Sequence, residues 1–284
     1  VKKLISSSVT QLDIVAWVLV LAFFCGSSLL FQGDLQLSLM GASGIIVVMM
    51  LIGLSIEIII ESIKHIKGIG TVTGFITNGP EALCLVVGLV AGDILFAAST
   101  PLGSNVMNPI LLITATIICK ITLATFKTKP LYSIVTIIST ASLAVSFFLI
   151  PEAFYIHWLT VAVILTVPLF FLRPDEGEKE EEEESDAMYH EGAKRWLIPA
   201  ILILLGTGYF LDLVVSFAAE HSTAPKGVIG FLVLASLTSW PEFKSCLSLL
   251  SRRKPLAAIL NITISNITNI WLAAGGIGFF LLSK

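Results

Sequence analysis

Two acids stand where acids are rare. Glu81 and Glu242 each lie inside a long apolar run, each directly follows a proline, and each is preceded four residues earlier by a threonine, Thr77 or Thr238. An ionised carboxylate inside a bilayer costs roughly 3 kcal/mol or more, so it faces a cavity or a partner. Downstream of each acid comes a second polar cluster, Ser104 with Asn108 and Ser265 with Asn269. Each pair is spaced by four, which puts both side chains on one face of a helix wherever the segment is helical. Carboxylate, hydroxyl, amide and backbone oxygens are the ligands a hard cation such as Ca²⁺ or Na⁺ prefers. Two carboxylates balance one divalent or two monovalent ions.

The clusters share one register. Thr77, Pro80, Glu81, Ser104, Asn105 and Asn108 recur as Thr238, Pro241, Glu242, Ser265, Asn266 and Asn269, always 161 positions on (77 to 238, 108 to 269). A constant offset across two unlike stretches marks an internal duplication. A proline inside a helix removes one hydrogen bond and clashes with the carbonyl four residues back, so the carbonyls of Ile76 and Leu237 are expected to be released. Released carbonyls are tolerated in a membrane where they line a cavity. Taken singly, Ser, Thr and Asn in membrane helices serve as packing groups between helices. The pairing of two acids with two duplicated stripes favours an oxygen cage instead.

The surrounding composition says what must hold these groups. Of 284 residues 56% are apolar and 13% charged, and the mean hydropathy is +0.94, against about 25% charged in soluble domains. The chain therefore reads as an all-helical, polytopic membrane protein. A span needs about 20 apolar residues, and runs of that kind fall near 11–31, 40–63, 71–91, 94–118, 130–150, 153–172, 196–217, 227–250 and 256–282. Nine spans are expected, with broken helices at the midplane where the prolines fall. Lysines and arginines gather in alternate loops, before the first span and after the second, fourth, sixth and eighth. Positive residues collect on the cytoplasmic side, so the amino terminus is expected inside and the carboxyl terminus outside. The span with Glu81 then runs outward and the span with Glu242 inward. The two copies are inverted, as in many transporters that alternate access around a midplane site.

The organisation expected is an amino-terminal end with an extra span at 1–39, a first repeat at 40–172, an acidic cytoplasmic loop at 173–195 and a short second repeat at 196–284. The loop, "RPDEGEKEEEEESDAMYHEGAKR", reads as a solvated, self-repelling linker, since a run of Glu lacks the ligand spacing of a divalent-ion site. The first apolar run lacks a small-x-small cleavage site after it and is read as a retained span. The net charge of −3 argues for no nucleic-acid partner. The four cysteines have no CxxC spacing and read as packing residues. The histidines stand singly near loops and form no metal cluster. No nucleophile and base pair suggests an enzyme.

At the acids the sequence resembles the cation/Ca²⁺ exchanger superfamily, whose two repeats typically read like GTSLPE followed by GNxxGSNxxN. Here they read "ITNGPE" with "STPLGSNVMN", and "LTSWPE" with "LNITISNITN"; the resemblance spans roughly residues 40–282. It implies that Glu81 and Glu242 are the ion-binding carboxylates, with Asn108, Asn269, Ser104, Ser265, Thr77 and Thr238 as further oxygen ligands. Asn78 and Ser239 match a position usually held by Ser. Gly74 and Ala235, seven residues before each acid, match positions that offer backbone carbonyls. Family members exchange Ca²⁺ for Na⁺, H⁺ or K⁺, and they usually have five spans per repeat. Lys244, two residues past Glu242, is unusual in a span; on a helix it points away from Glu242, toward a distant acid such as Asp212 or Glu57, or it snorkels.

The expected function is a secondary active antiporter exchanging Ca²⁺ for Na⁺ or H⁺. Its partners are those ions as substrates, the lipid bilayer and, as an open case, a second copy in a homodimer; no cofactor is implied. A cation sensor, a non-exchanging protein of the same fold, or an exchanger for another cation stays open beside it.

Overall fold

A computed structural model describes residues 9–91, 94–176, 193–224, 233 and 236–283, with backbone alone at 91 and from 94 to 100. The described chain is helical. In order the helices are α1 (Gln11–Leu30), α2 (Leu35–Ile63), α3 (Ile69–Thr77), α4 (Gly79–Ala91), α5 (Ile94–Ile118), α6 (Thr122–Lys127), α7 (Pro130–Leu149), α8 (Tyr155–Phe171, after a 3₁₀ turn at Glu152–Phe154), α9 (Leu197–His221), α10 (Trp240–Ser251) and α11 (Pro255–Leu282). Among the described residues eight segments are long and apolar enough to cross a membrane, with α3 and α4 together forming one of them. The chain is thus an integral, multi-pass membrane protein. The ninth expected span, 227–250, falls partly on residues outside those described; its second half is α10.

The chain divides into two compact units. One holds Val1–Ser62 with Glu182–Pro241, the other Ile63–Glu181 with Glu242–Lys284. In the first unit, α1 starts with a capping box, in which Thr10 N donates to Asp13 Oδ2 at 2.7 Å and Asp13 N donates back to Thr10 Oγ1 at 3.4 Å. Two of the helix's orphan amides are satisfied this way. Helix α1 packs against α9, and α2 runs antiparallel to α9. Gly41 and Gly44 are what permits the close approach: a Cβ at Gly41 would fall 2.8 Å from that of Ala218, and one at Gly44 2.7 Å from Val214. With no hydrophobic force between helices in lipid, such small-residue contacts are how they associate.

In the second unit α11 is the hub. Helices α3 to α8 all pack on it, and 78% of its most apolar stretch is buried. A helix buried all round belongs to a core rather than to a lipid-facing wall, which is why α11 tolerates "NITISNITN" in its middle. On its carboxyl-terminal half Ile270, Ala273 and Ile277 join Leu102, Leu143, Ala144, Phe147, Trp158 and Ala162 in one apolar cluster. Two tryptophans bind neighbouring helices through their indole N–H: Trp158 donates to Leu143 O at 3.0 Å and Trp271 to Thr166 Oγ1 at 2.9 Å. On the amino-terminal half α3 lies almost in backbone contact, because Gly70 faces Ala257 and Gly74 faces Asn261.

Candidate cation site

Both acids begin helices. Glu81 is the third residue of α4 and Glu242 the third of α10. An α-helix carries about half a positive charge at its amino terminus, where its first N–H groups are unpaired. Each carboxylate therefore sits at the electropositive end of its own helix. Pro80 and Pro241 take the second helical position, where the missing N–H removes no helical bond. The prolines thus stand in the first turn of a helix, where the sequence suggested a proline further inside one. The carbonyl of Ile76, expected to be released, accepts the backbone N–H of Asn78 instead. The four-residue step from Thr77 to Glu81 likewise crosses the junction of α3 and α4 at Asn78 and is not a shared helix face.

The second unit brings Glu81 and Glu242 together, close enough to repel one another, with Thr77 and Ser265 beside Glu242. Glu242 is fully buried and Glu81 is 7% exposed. The protons of the two hydroxyls go elsewhere: Thr77 Oγ1 donates to Gly74 O at 3.4 Å, and Ser265 Oγ to Asn78 Oδ1 at 2.7 Å. Neither oxygen of Glu242 has a hydrogen-bond partner among the described residues. A buried ionised carboxylate without donors is costly, a cost that a cation or a proton would relieve.

The continuous helices α5 and α11 keep the predicted spacing. Ser104 and Asn108 share a face of α5, Ser265 and Asn269 one of α11, and all four are buried. Asn108 donates through Nδ2 to Ser265 Oγ at 3.3 Å and to Asn266 Oδ1 at 2.9 Å, which leaves its own Oδ1 unpartnered among the described residues. Both amide atoms of Asn269 are likewise buried and unpartnered there. Asn108 Oδ1 and Asn269 Oδ1 are acceptors of the kind a hard cation prefers.

Some assignments are placed differently. Gly74 accepts a bond through its carbonyl, and its lack of a side chain is equally needed for α3 to reach α11. Thr238, half-buried, and Ser239, buried, belong to the first unit. Ala235 lies outside the described residues. Lys244 is buried, 7% exposed, so it does not run along the surface as a snorkelling lysine would.

Sequence reading passed over Asn105 and Asn266, which served only to mark the repeat. Asn105 Nδ2 donates to Asn266 O at 3.0 Å, and Asn266 Nδ2 donates to Asn105 O at 3.4 Å and to Thr140 Oγ1 at 3.3 Å. They tie α5 to α11 where the site stripes meet. Asn261 does the same for α10, through Nδ2 to Ser245 Oγ at 2.7 Å. The signal available was their identical offset of 161; that they bond each other needed the fold.

The described helices define a class, the polytopic membrane proteins, here with a pair of buried carboxylates. Residues 196–283 match the family model of the sodium/calcium exchanger protein. That stretch of the chain is thus similar to the sodium/calcium exchanger family. Comparison with curated proteins and with solved structures gives no match.

Proposed function

We propose that the protein is a secondary active cation antiporter that moves Ca²⁺ against Na⁺ or H⁺ by alternating access. The observation that carries this reading is the adjacency of Glu81 and Glu242, each buried at a helix amino terminus, with the oxygens of Glu242 unpartnered among the described residues. Two carboxylates neutralise a divalent ion, or two monovalent ions in its place. Asn108, Asn269, Ser104, Ser265 and Thr77 supply neutral oxygens that replace part of the hydration shell. The transported ion is thereby held by charge and dehydrated by dipoles.

The mechanism follows from the inverted repeat. Two copies of opposite orientation can exchange conformations, opening the same site to either side. The crossed bonds of Asn105 and Asn266 support it, because a local twofold would pair each residue with the other copy's equivalent. The junctions at Asn78 and before Trp240 play the part of midplane breaks.

The test is ⁴⁵Ca²⁺ uptake into proteoliposomes under an imposed Na⁺ or pH gradient. Uptake should follow one gradient and vanish in Glu81→Gln and Glu242→Gln. Absence of gradient-driven uptake, with Ca²⁺ binding still sensitive to both substitutions, would reassign the chain as a sensor or an exchanger of another cation.

A further inference from the structure

Position 78 is Asn where its repeat equivalent, Ser239, is Ser. Asn78 Nδ2 donates to Ser265 O at 2.7 Å, and Ser265 Oγ lies 2.7 Å from Asn78 Oδ1. A backbone carbonyl only accepts, so the amide atom facing it is the NH₂ group, and the other is the oxygen. An amide oxygen also only accepts, so Ser265 gives its single proton to Asn78. Asn108 Nδ2 then donates to the same hydroxyl at 3.3 Å and takes one of its two lone pairs. Ser265 Oγ is left with one lone pair and no proton. Asn78 and Ser265 are both buried, so water does not compete for these bonds.

We infer that Asn78 is a positioning residue, which holds Ser265 as an obligate acceptor for the cation at Glu242 and is not itself a ligand. This departs from the sequence assignment of Asn78 to the ion shell and rests on the reading of the site as a cation site. A serine at 78 has one short hydroxyl and cannot make the two-point contact. Ser265 is then free to turn its proton onto Glu242, where it occupies the lone pair a cation needs. The cation affinity is thus set by a residue that touches only a ligand.

The test is equilibrium ⁴⁵Ca²⁺ binding to the full-length protein in proteoliposomes, at fixed alkaline pH, with thermal unfolding run beside it. Asn78→Ser should weaken binding by about tenfold, the worth of one hydrogen bond to a charged group. Ser265→Ala should weaken it comparably, and the double variant should bind no worse than Ser265→Ala, since coupled residues are not additive. Multiplying losses in the double variant would overturn the role of Asn78 while leaving the cation site standing. Wild-type binding that is absent, or unaffected by Glu242→Gln, would remove both. If Asn78→Ser fails to fold, Ser265→Ala still decides: full affinity in that variant refutes the inference.

Discussion

Glu242 is surrounded by groups that have given their protons away. Thr77 donates to Gly74 O, Ser265 to Asn78, and Asn108 directs its NH₂ toward Ser265 and Asn266. In water such an arrangement would be ordinary; buried, it concentrates lone pairs around the carboxylate. Either a metal cation or a proton can satisfy the carboxylates, and the two compete for the same oxygens. A protonated carboxyl is neutral and a poor ligand, so transport at a fixed gradient of the driving ion should fall as pH drops from 8 to 5. A rate constant over that range would contradict the role of Glu81 and Glu242. At this scale much was legible in the sequence, because an acid in an apolar run must be compensated. The direction of each proton was not, since it depends on which acceptor each hydroxyl meets.

Helix α3 is held from two sides. Along its length Gly70 and Gly74, one turn apart, let its backbone lie against that of α11; a Cβ at Gly74 would meet Asn261 O at 2.7 Å and Ser265 N at 3.2 Å. At its amino terminus the Glu176 carboxylate accepts from Gly70 N at 2.8 Å and Thr71 N at 3.1 Å. Beside it Asp175 pairs with Lys67 at 2.8 Å, although so exposed a pair contributes little. Glu176, at the start of the acidic segment, thus caps a helix, a role its charge run did not suggest. Gly74→Ala pushes against backbone, which cannot swing aside, and should cost roughly 1–3 kcal/mol and reduce transport by displacing Thr77 and Asn78. Gly103→Ala is the control, as nothing lies within 4 Å of its added Cβ. Unfolding temperatures in detergent and uptake rates read both; equal effects would refute the close-packing account. The spans themselves were foreseeable from apolar run length. The junction at Asn78 was not, because Pro-Glu reads equally as an interrupted helix or as the first turn of a new one.

For the whole molecule, loop charges predict an inside amino terminus. Lys120, Lys127 and Lys129 flank α6, while the turn at Glu152–Phe154 carries no base. Cysteines introduced at Thr128 and at Ala153, in a background lacking the native four, should react with a membrane-impermeant thiol reagent from opposite sides, Thr128→Cys from the cytoplasmic side. Labelling of both from one side would remove the inverted topology and the mechanism built on it. The order of apolar and polar residues by itself determined that this chain is a multi-pass helical membrane protein with two related polar clusters. Both conclusions rest on local quantities, since lipid demands about 20 apolar residues per span and a repeat is a matter of register. Only the tertiary structure decided that Glu81 and Glu242 are neighbours, that α11 is the buried hub and that Asn78 grips Ser265. Those contacts join residues more than a hundred positions apart, and their geometry comes from how helices pack, which no local pattern encodes.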